Sequence, residues 1–128
     1  MKNCYMSHRE VMLKAKELGW PYVCVFEDDA YPCDDIKGKL DSYLNEIPEG
    51  WNLMVLGYAN LLKKRALNDR WYKCVSSFGS HSYVVPNWAY DDFVAYLDSV
   101  RKGDCWSVRR DGIISNHSII CPVENLFI

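Results

Sequence analysis

Three consecutive carboxylates, Glu27, Asp28 and Asp29, are the side chains in this sequence best suited to chemistry. Three like charges in a row repel one another, and a divalent cation bound together with a phosphate-bearing substrate would compensate that repulsion. The alternative is a solvated acidic turn that only ends the preceding segment. Because unusual carboxylates are only probabilistic markers of a functional site, the triplet by itself leaves both interpretations open.

The segment that must position the triplet is Tyr22–Phe26, a run of apolar and aromatic residues directly before it. Its β-branched and aromatic side chains predict a strand that is buried on both faces, as strands of parallel sheets are. Open α/β sheets bind ligands beyond the carboxyl ends of their strands. The position of the triplet after this strand is therefore where a ligand site would be expected, with the solvated turn as the alternative.

Helical and strand patterns alternate around that strand. Ser7 and Glu10 have the spacing of a capping box, which predicts that a helix opens at Ser7, and Gly19 is its predicted end. After the triplet, apolar residues at helical spacing predict a second helix that ends before Pro48, and 51–57 predicts a second buried strand. The order helix, strand, helix, strand favours an α/β fold with parallel strands joined by helical crossovers.

The second half of the chain is predicted to contain two short strands and a third helix. The strands, Trp71–Val75 and Ser80–Val85, have a hairpin-like arrangement, and the helix follows Asn87. Between the two halves, 58–70 is the most basic stretch. It is interpreted either as a solvated surface or as a contact for an anionic substrate near the carboxylates. No repeat or linker divides the sequence, so 1–128 is predicted to be a single domain.

The composition argues against several classes of protein. With 128 residues, of which 49% are hydrophobic and 25% charged, the chain is typical of one globular domain. Its net charge of −2 gives no general attraction to nucleic acid. No apolar run approaches the roughly 18 residues of a membrane-spanning helix. The cysteines have neither C-x-x-C nor zinc-finger spacing, and no signal peptide is recognised, so reduced thiols in a cytoplasmic protein are expected.

An ordered set of motifs resembles a known family. The order is Ser7-His8 at a helix, WPYVCVFEDDAYP, WNLMVLG, GSHSYVV before a helix, and then Asp111 and CPVEN. Acidic triplets are common, whereas the whole set in this order and spacing is specific. The set resembles glycosyltransferase family 25, which is associated with lipo-oligosaccharide biosynthesis and includes collagen-type galactosyltransferases. The resemblance covers nearly the whole chain.

The resemblance implies an enzyme with a GT-A-like α/β fold, whose central sheet is mixed but mostly parallel. It implies metal-dependent transfer of a hexose from a nucleotide-diphosphate sugar to a saccharide acceptor, in surface polysaccharide or lipo-oligosaccharide biosynthesis. The implied cofactor is Mn²⁺ or Mg²⁺. Such ions suit hard oxygen ligands, keep bound waters and bridge to substrate phosphates.

The resemblance also assigns metal ligands. Glu27 and Asp29 match the outer positions of a D-x-D-like motif that holds a divalent metal in such enzymes. His81 matches the histidine of the family's G-x-H strand and is the third predicted ligand. The alternative for His81 is a strand residue whose ring is simply hydrogen-bonded.

The remaining predicted site residues concern the two substrates. The residues expected near the nucleotide-sugar donor are Asp28, Ser7 and His8, although a lone histidine in the first turn of a helix is more often a surface or packing residue. Asp111 matches a family aspartate and is the candidate base for the acceptor. The alternative for Asp111 is a turn residue before a glycine.

The chain departs from the family pattern at its amino-terminal end. Family members begin with a further strand and helix before the Ser-His helix, whereas this chain starts at Met1, shortly before Ser7. The expectation is a domain that lacks its amino-terminal part. An uncovered sheet edge favours association, so a homodimer that covers the gap is predicted.

Two other functions are kept as alternatives. A truncated relative without catalysis would keep the fold and serve as a binding or interaction module. A metal-dependent phosphoester hydrolase would account for the carboxylates, but it would leave the Ser-His and G-x-H segments without a role.

Overall fold

The structure is a computed structural model, and it describes residues 4–58, 60–62, 64–74, 76–78, 81–99, 108–109 and 118–127. The helices are α1 (Cys4–Leu18), α2 (Ile36–Leu44) and α3 (Tyr90–Ser99), the last preceded by a 3₁₀ turn at Asn87–Ala89. The strands are β1 (Tyr22–Phe26), β2 (Trp51–Gly57), β3 (Asn60–Leu62), β4 (Arg65–Ala66), β5 (Trp71–Cys74), β6 (Ser76–Phe78), β7 (Ser82–Pro86), β8 (Val108–Arg109) and β9 (Ser118–Pro122).

A six-stranded sheet with the order β1-β7-β2-β9-β5-β4 is the centre of the fold, and β3, β6 and β8 form a second sheet. In the larger sheet β2 and β9 are parallel, and the other neighbouring strands are antiparallel. The prediction of a mixed α/β fold is therefore confirmed. The prediction that the sheet is mostly parallel is wrong.

The position of β7 explains this error. β1 and β2 are both antiparallel to β7, so they run in the same direction, as the order helix, strand, helix, strand implies. A helical crossover leaves room between its two strands for a strand from elsewhere in the chain, and β7 fills that place. β5 pairs with β4 and β9 instead of β7, so the hairpin-like arrangement predicted for β5 and β7 is also wrong.

Helices cover both faces of the larger sheet. Alternate residues of β2 belong to different apolar clusters, because successive side chains of a strand point to opposite faces. Leu53 and Val55 pack with residues of α1 and α3, whereas Met54 and Leu56 pack with Tyr43 of α2. β2 is thus buried on both sides, and it anchors the strands next to it.

β1 is an edge strand in the part of the chain that the structure describes, where it pairs with β7. Val23 is buried and Val25 is half-buried, but Tyr22, Cys24 and Phe26 are exposed. The prediction of a strand buried on both faces is therefore wrong. The three exposed residues alternate along the strand and share one face, so the sequence has the pattern of a buried strand although the fold covers only one of its faces.

α1 begins earlier than predicted and ends where predicted. Its helical backbone already includes Cys4, so Ser7 lies inside the helix and does not cap it. An exposed serine is tolerated there, because its hydroxyl can turn to solvent. Gly19 has a φ of 70°, the left-handed conformation that commonly ends helices. The chain then turns into β1, which places α1 beside the end of that strand.

Candidate functional site

An open cleft of ≈ 220 Å³ lies between α1 and the end of β1. Both elements contribute to its walls, which are formed by Ser7, His8, Val11, Val25, Phe26 and Glu27. Glu27 is the first carboxylate of the predicted triplet. The structure therefore places the start of the triplet, together with Ser7 and His8 of α1, in one concave surface.

His8 and Glu27 are in direct contact inside the cleft. The Nε2 atom of His8 lies 3.2 Å from Oε1 of Glu27. A carboxylate accepts hydrogen bonds, so the Nε2–H group of His8 is the donor. His8 is almost fully buried, whereas the side chain of Glu27 is 33% exposed. The carboxylate is thus held from the protein side and still reaches solvent.

Tyr83 holds the other side of the His8 ring. Its hydroxyl is hydrogen-bonded to Nδ1 of His8, and the two rings are stacked with centroids 5.6 Å apart. Because Nε2 carries the proton toward Glu27, a neutral ring accepts from Tyr83 at Nδ1. Burial lowers the pKa of His8, and Glu27 opposes that shift. Burial and both hydrogen bonds therefore fit one neutral tautomer.

The carboxylate triplet continues into a turn. The Glu27 amide donates to the His81 carbonyl at 2.8 Å, and the Ala30 amide donates to the Glu27 carbonyl at 3.0 Å. Asp28 and Asp29 lie between these two bonds and are exposed. The turn therefore fixes its backbone at Glu27 and presents two further carboxylates to solvent.

His81 lies at the start of β7, next to the end of β1. Its Nε2 atom is 3.1 Å from the carbonyl oxygen of Phe127, which can only accept a hydrogen bond. Nε2 therefore carries the proton and Nδ1 carries the lone pair. This is the arrangement in which metal-bound histidines are commonly held, with the second ring nitrogen bonded to a carbonyl or carboxylate.

Gly57 makes the contact between His81 and Phe127 possible. A Cβ atom at this position would collide with the His81 ring and the Phe127 carbonyl, and it would lie 2.8 Å from the Ser82 hydroxyl. The Ser82 hydroxyl is fully buried and has no hydrogen-bond partner among the described residues. The end of β2 thus combines tight packing with one buried hydroxyl that has no hydrogen-bond partner among the described residues.

The carboxylate oxygens at the end of β1 suit a cation that is bound together with a phosphate-bearing substrate. Within the described ranges, no three histidine, cysteine, aspartate or glutamate side chains are grouped closely enough to hold a metal. Mg²⁺ is usually bound by one or two carboxylates, with waters and substrate phosphates as the other ligands. The exposed carboxylates of Asp28 and Asp29 fit that chemistry. The assignment of Glu27, Asp29 and His81 as ligands stays a prediction.

The part of the basic stretch 58–70 that forms β4, Arg65–Ala66, lies away from the cleft. It is at the opposite edge of the six-stranded sheet from β1. Five strand spacings separate these two strands, a distance of roughly 24 Å. Lys64 and Arg65 are exposed, and the Lys64 ammonium lies 5.0 Å from the centre of the Tyr72 ring. A solvated surface fits this stretch better than a substrate contact near the carboxylates.

A comparison with sequence models of known protein families identifies the family of the chain. The sequence model of glycosyltransferase family 25 (LPS biosynthesis protein) matches residues 1–108. The chain belongs to glycosyltransferase family 25. The resemblance found from the motifs is thereby confirmed, and it makes glycosyl transfer in lipopolysaccharide biosynthesis the activity that the family suggests. No curated protein matches the chain.

Membership of family 25 implies a sugar donor and an acceptor as substrates. In this family 25 chain the structure brings the side chains of His8 and Glu27 into contact, whereas His81 is joined to Glu27 only through a backbone hydrogen bond. Ser7 lines the same cleft. Asp111 lies outside the described residues. Of the helices that the structure describes, none combines the length and the apolar character needed to cross a membrane.

Two residues of the site had no predicted role. Tyr83 is an aromatic residue in an apolar run, which is typical of a core residue. It also lies two positions after His81, and alternate residues of a strand share a face. Gly57 ends an apolar strand, where a glycine often marks the close approach of another backbone. Both signals are visible in the sequence, and neither identifies the contacting partner.

Proposed function

We propose that this chain transfers a hexose from a nucleotide-diphosphate sugar to a saccharide acceptor, as a metal-dependent enzyme with a GT-A-like fold. The observation that carries the proposal is the cleft in which His8 is bonded to Glu27, the first residue of the carboxylate triplet. The family match supports sugar transfer. Carboxylates at a strand end support a cation that bridges to a diphosphate.

On the donor side, Glu27 and Asp29 are the proposed ligands of Mn²⁺ or Mg²⁺, with His81 as the third. The bound ion would supply Lewis-acid stabilisation of the charge on the leaving diphosphate. Asp28 and Ser7 are proposed to contact the donor. The exposure of Asp28 in the turn and the position of Ser7 in the cleft wall support these roles.

His8 is proposed to contact the donor and to hold Glu27 in place. Its ring is buried and fixed by Tyr83, so the Nε2–H group is aimed at the carboxylate. Because burial lowers the pKa of His8, a neutral ring is favoured there. The ring then acts as a hydrogen-bond donor that orients the Glu27 carboxylate, and an ionised carboxylate is a suitable ligand for Mn²⁺ or Mg²⁺.

On the acceptor side, Asp111 is proposed as the base that takes a proton from the attacking hydroxyl. The proposed setting of the reaction is the cytoplasm. Four cysteines are free thiols, which a reducing compartment would preserve: Cys24, Cys33, Cys74 and Cys121.

Calorimetric titration of the chain with uridine diphosphate and Mn²⁺ tests the proposal. We expect binding that requires the metal and that falls at least tenfold in Asp29→Asn. Asp41→Asn is the matched control, because Asp41 is an exposed aspartate on α2, away from the cleft. We expect this control to bind as the parent chain does.

Nucleotide binding that does not require the metal, or that has the same affinity in Asp29→Asn, would contradict the metal role of the triplet. Absence of binding at millimolar nucleotide would contradict donor binding by this chain and would favour the second candidate function. Release of phosphate from a generic phosphoester would instead favour a hydrolase.

The second candidate is a binding or interaction module without catalysis, in which a second copy of the chain covers β1. The aromatic residues around this open edge favour it, because Tyr22, Phe26 and Trp88 are 54%, 49% and 57% exposed. Exposed apolar edge strands promote association. Sedimentation velocity of the parent chain and Tyr22→Lys tests the homodimer. A dimer that dissociates in the variant supports it, and a monomer at every concentration contradicts it.

A further inference from the structure

Two buried cysteines touch each other in the centre of the sheet. The sulfur atoms of Cys74 on β5 and Cys121 on β9 are 3.3 Å apart. β5 and β9 are antiparallel, and Cys74 lies opposite Ile119 while Cys121 lies opposite Tyr72. The two cysteines are therefore diagonal neighbours on one face of the sheet. They belong to the apolar cluster that also contains residues of α1 and α3.

We propose that Cys74 and Cys121 form a disulfide when the protein meets a thiol-oxidising agent, and that this bond fastens β5 to β9. The sulfur atoms are already in contact, and a disulfide is about 2.05 Å long, so closure brings them closer by roughly 1.2 Å. Because the Cα atoms of diagonal neighbours are roughly 7–8 Å apart, closure also draws the two strands slightly together. Continuous pairing of four residues on each strand keeps the two side chains in register. The two thiols are therefore already adjacent in the folded protein.

The reaction is a thiol–disulfide exchange, and oxidised glutathione is a suitable oxidant. One protein thiolate attacks the glutathione disulfide, forms a mixed disulfide and releases one reduced glutathione. The second protein thiolate then attacks the protein sulfur of the mixed disulfide and releases the other glutathione. Two electrons pass from the protein sulfurs to the oxidant, and the two thiol protons end on the two glutathione molecules.

Burial sets the rate of this exchange. The hydrogen bond with Cys74 and burial both raise the pKa of the Cys121 thiol, so little thiolate is present at neutral pH. Glutathione reaches these two buried thiols only when the strands open locally, so oxidation of the folded protein is slow, and it accelerates as the pH rises. In a reducing compartment the pair stays a dithiol, and it responds only to sustained oxidation.

The cross-linked strand β9 is connected along the chain to the candidate site. β9 leads into the segment that ends at Phe127, whose carbonyl accepts the hydrogen bond from His81. A bond between positions 47 residues apart also restricts the unfolded chain. We expect the oxidised protein to unfold at a temperature higher by on the order of 10 °C.

The test is to incubate the full chain with oxidised glutathione at several pH values, block remaining thiols with an alkylating reagent, and measure intact and peptide masses. The expected product has lost two hydrogens, and its cross-linked peptide contains Cys74 and Cys121. The unfolding temperature rises with the cross-link and returns when a dithiol reductant is added.

Matched variants separate this pair from the other thiols. Cys74→Ala and Cys121→Ala should each abolish the cross-link, whereas Cys24→Ser, which changes an exposed cysteine on β1, should leave it intact. If one alanine variant fails to fold, the other gives the same test. A cross-link that maps to different cysteines would overturn the proposal. So would a chain that keeps both thiols free after refolding in a glutathione redox buffer.

Discussion

β1 and β2 are both short apolar strands that run in the same direction, but their surroundings differ. β2 lies between β7 and β9, and six of its seven residues are buried. β1 pairs with β7 in the described part of the chain, and only one of its five residues is buried. The comparison shows that burial in this sheet depends on which faces of a strand are covered, and not on the apolar character of the segment alone.

The two strands also differ in their expected roles, with β2 contributing to the stability of the fold and β1 to the candidate site. Because β2 is covered on both faces, its side chains are expected to carry much of the folding free energy. β1 contributes less to the core, but its end opens into the cleft with Glu27 and the turn that follows. Variants of the two strands and of the residues around them test this division.

Truncating one valine on each strand compares their contributions directly. Val55 on β2 is fully buried, whereas Val25 on β1 is half-buried. We expect Val55→Ala to lower the free energy of unfolding by about 2–3 kcal/mol and Val25→Ala by about 1 kcal/mol, because a cavity forms only in the packed core. Urea unfolding measures both. Equal losses would show that β1 is as well buried as β2.

Gly57 tests whether the end of β2 supports the site at the end of β1. In Gly57→Ala the new Cβ atom would collide with the His81 ring and the Phe127 carbonyl. We expect a loss of about 1–3 kcal/mol from overpacking, together with a changed His81 ring signal in NMR spectra.

Gly50→Ala, just before β2, is the matched control for that change. Gly50 has a φ of 78°, and a Cβ atom added there would meet nothing within 4 Å, so alanine adds backbone strain without a collision. It should cost about 1 kcal/mol and leave the His81 signal unchanged. A His81 signal that is unaffected by Gly57→Ala would refute the supporting role of Gly57.

Tyr83→Phe removes the hydroxyl that holds His8 behind Glu27. We expect a loss of stability of about 1 kcal/mol and weaker metal-dependent nucleotide binding, because the His8 ring and the carboxylate lose their fixed orientation. Tyr90→Phe is the control, since its hydroxyl donates to the Trp20 carbonyl at 2.7 Å, on another part of the protein. It should lose similar stability and keep its nucleotide affinity. The same affinity loss in both variants would argue against a role for Tyr83 in the site.

Tyr58, which follows β2, gives the smallest effect at neutral pH. Burial raises the pKa of its hydroxyl to about 12, and the hydroxyl donates to the Pro122 carbonyl at 2.9 Å. The unfolded chain loses this proton near pH 10, so the stability that depends on it is present below pH 10 and is lost as the pH rises toward about 12. Urea midpoints between these values should fall less steeply in Tyr58→Phe. An identical slope would show that Tyr58 does not titrate with unfolding.

Local patterns in the sequence predicted most elements and the place of the carboxylates. The apolar runs at β1 and β2 and the end of α1 at Gly19 depend on neighbouring residues, and the structure confirms them. The motifs also identified the family, because their order along the chain is a property of the sequence.

Contacts between distant residues were beyond those patterns. The insertion of β7 between β1 and β2 depends on which strand pairs with which, and hydrophobic spacing does not encode partners. The contact between His8 and Tyr83 joins residues 75 positions apart. The exposure of Tyr22 and Phe26 follows from a face of β1 that is left uncovered, which an apolar run cannot reveal.

The most direct test of the metal and donor site is to locate a bound metal by paramagnetic broadening in NMR spectra. Small amounts of Mn²⁺ would be added to the isotope-labelled chain in the presence of uridine diphosphate. We predict that amide signals of Glu27, Asp28 and Asp29 broaden first, followed by His81, while Arg65 at the opposite sheet edge stays sharp. Broadening centred on other carboxylates, or none at all with the nucleotide present, would contradict the claim that the end of β1 is the metal and donor site.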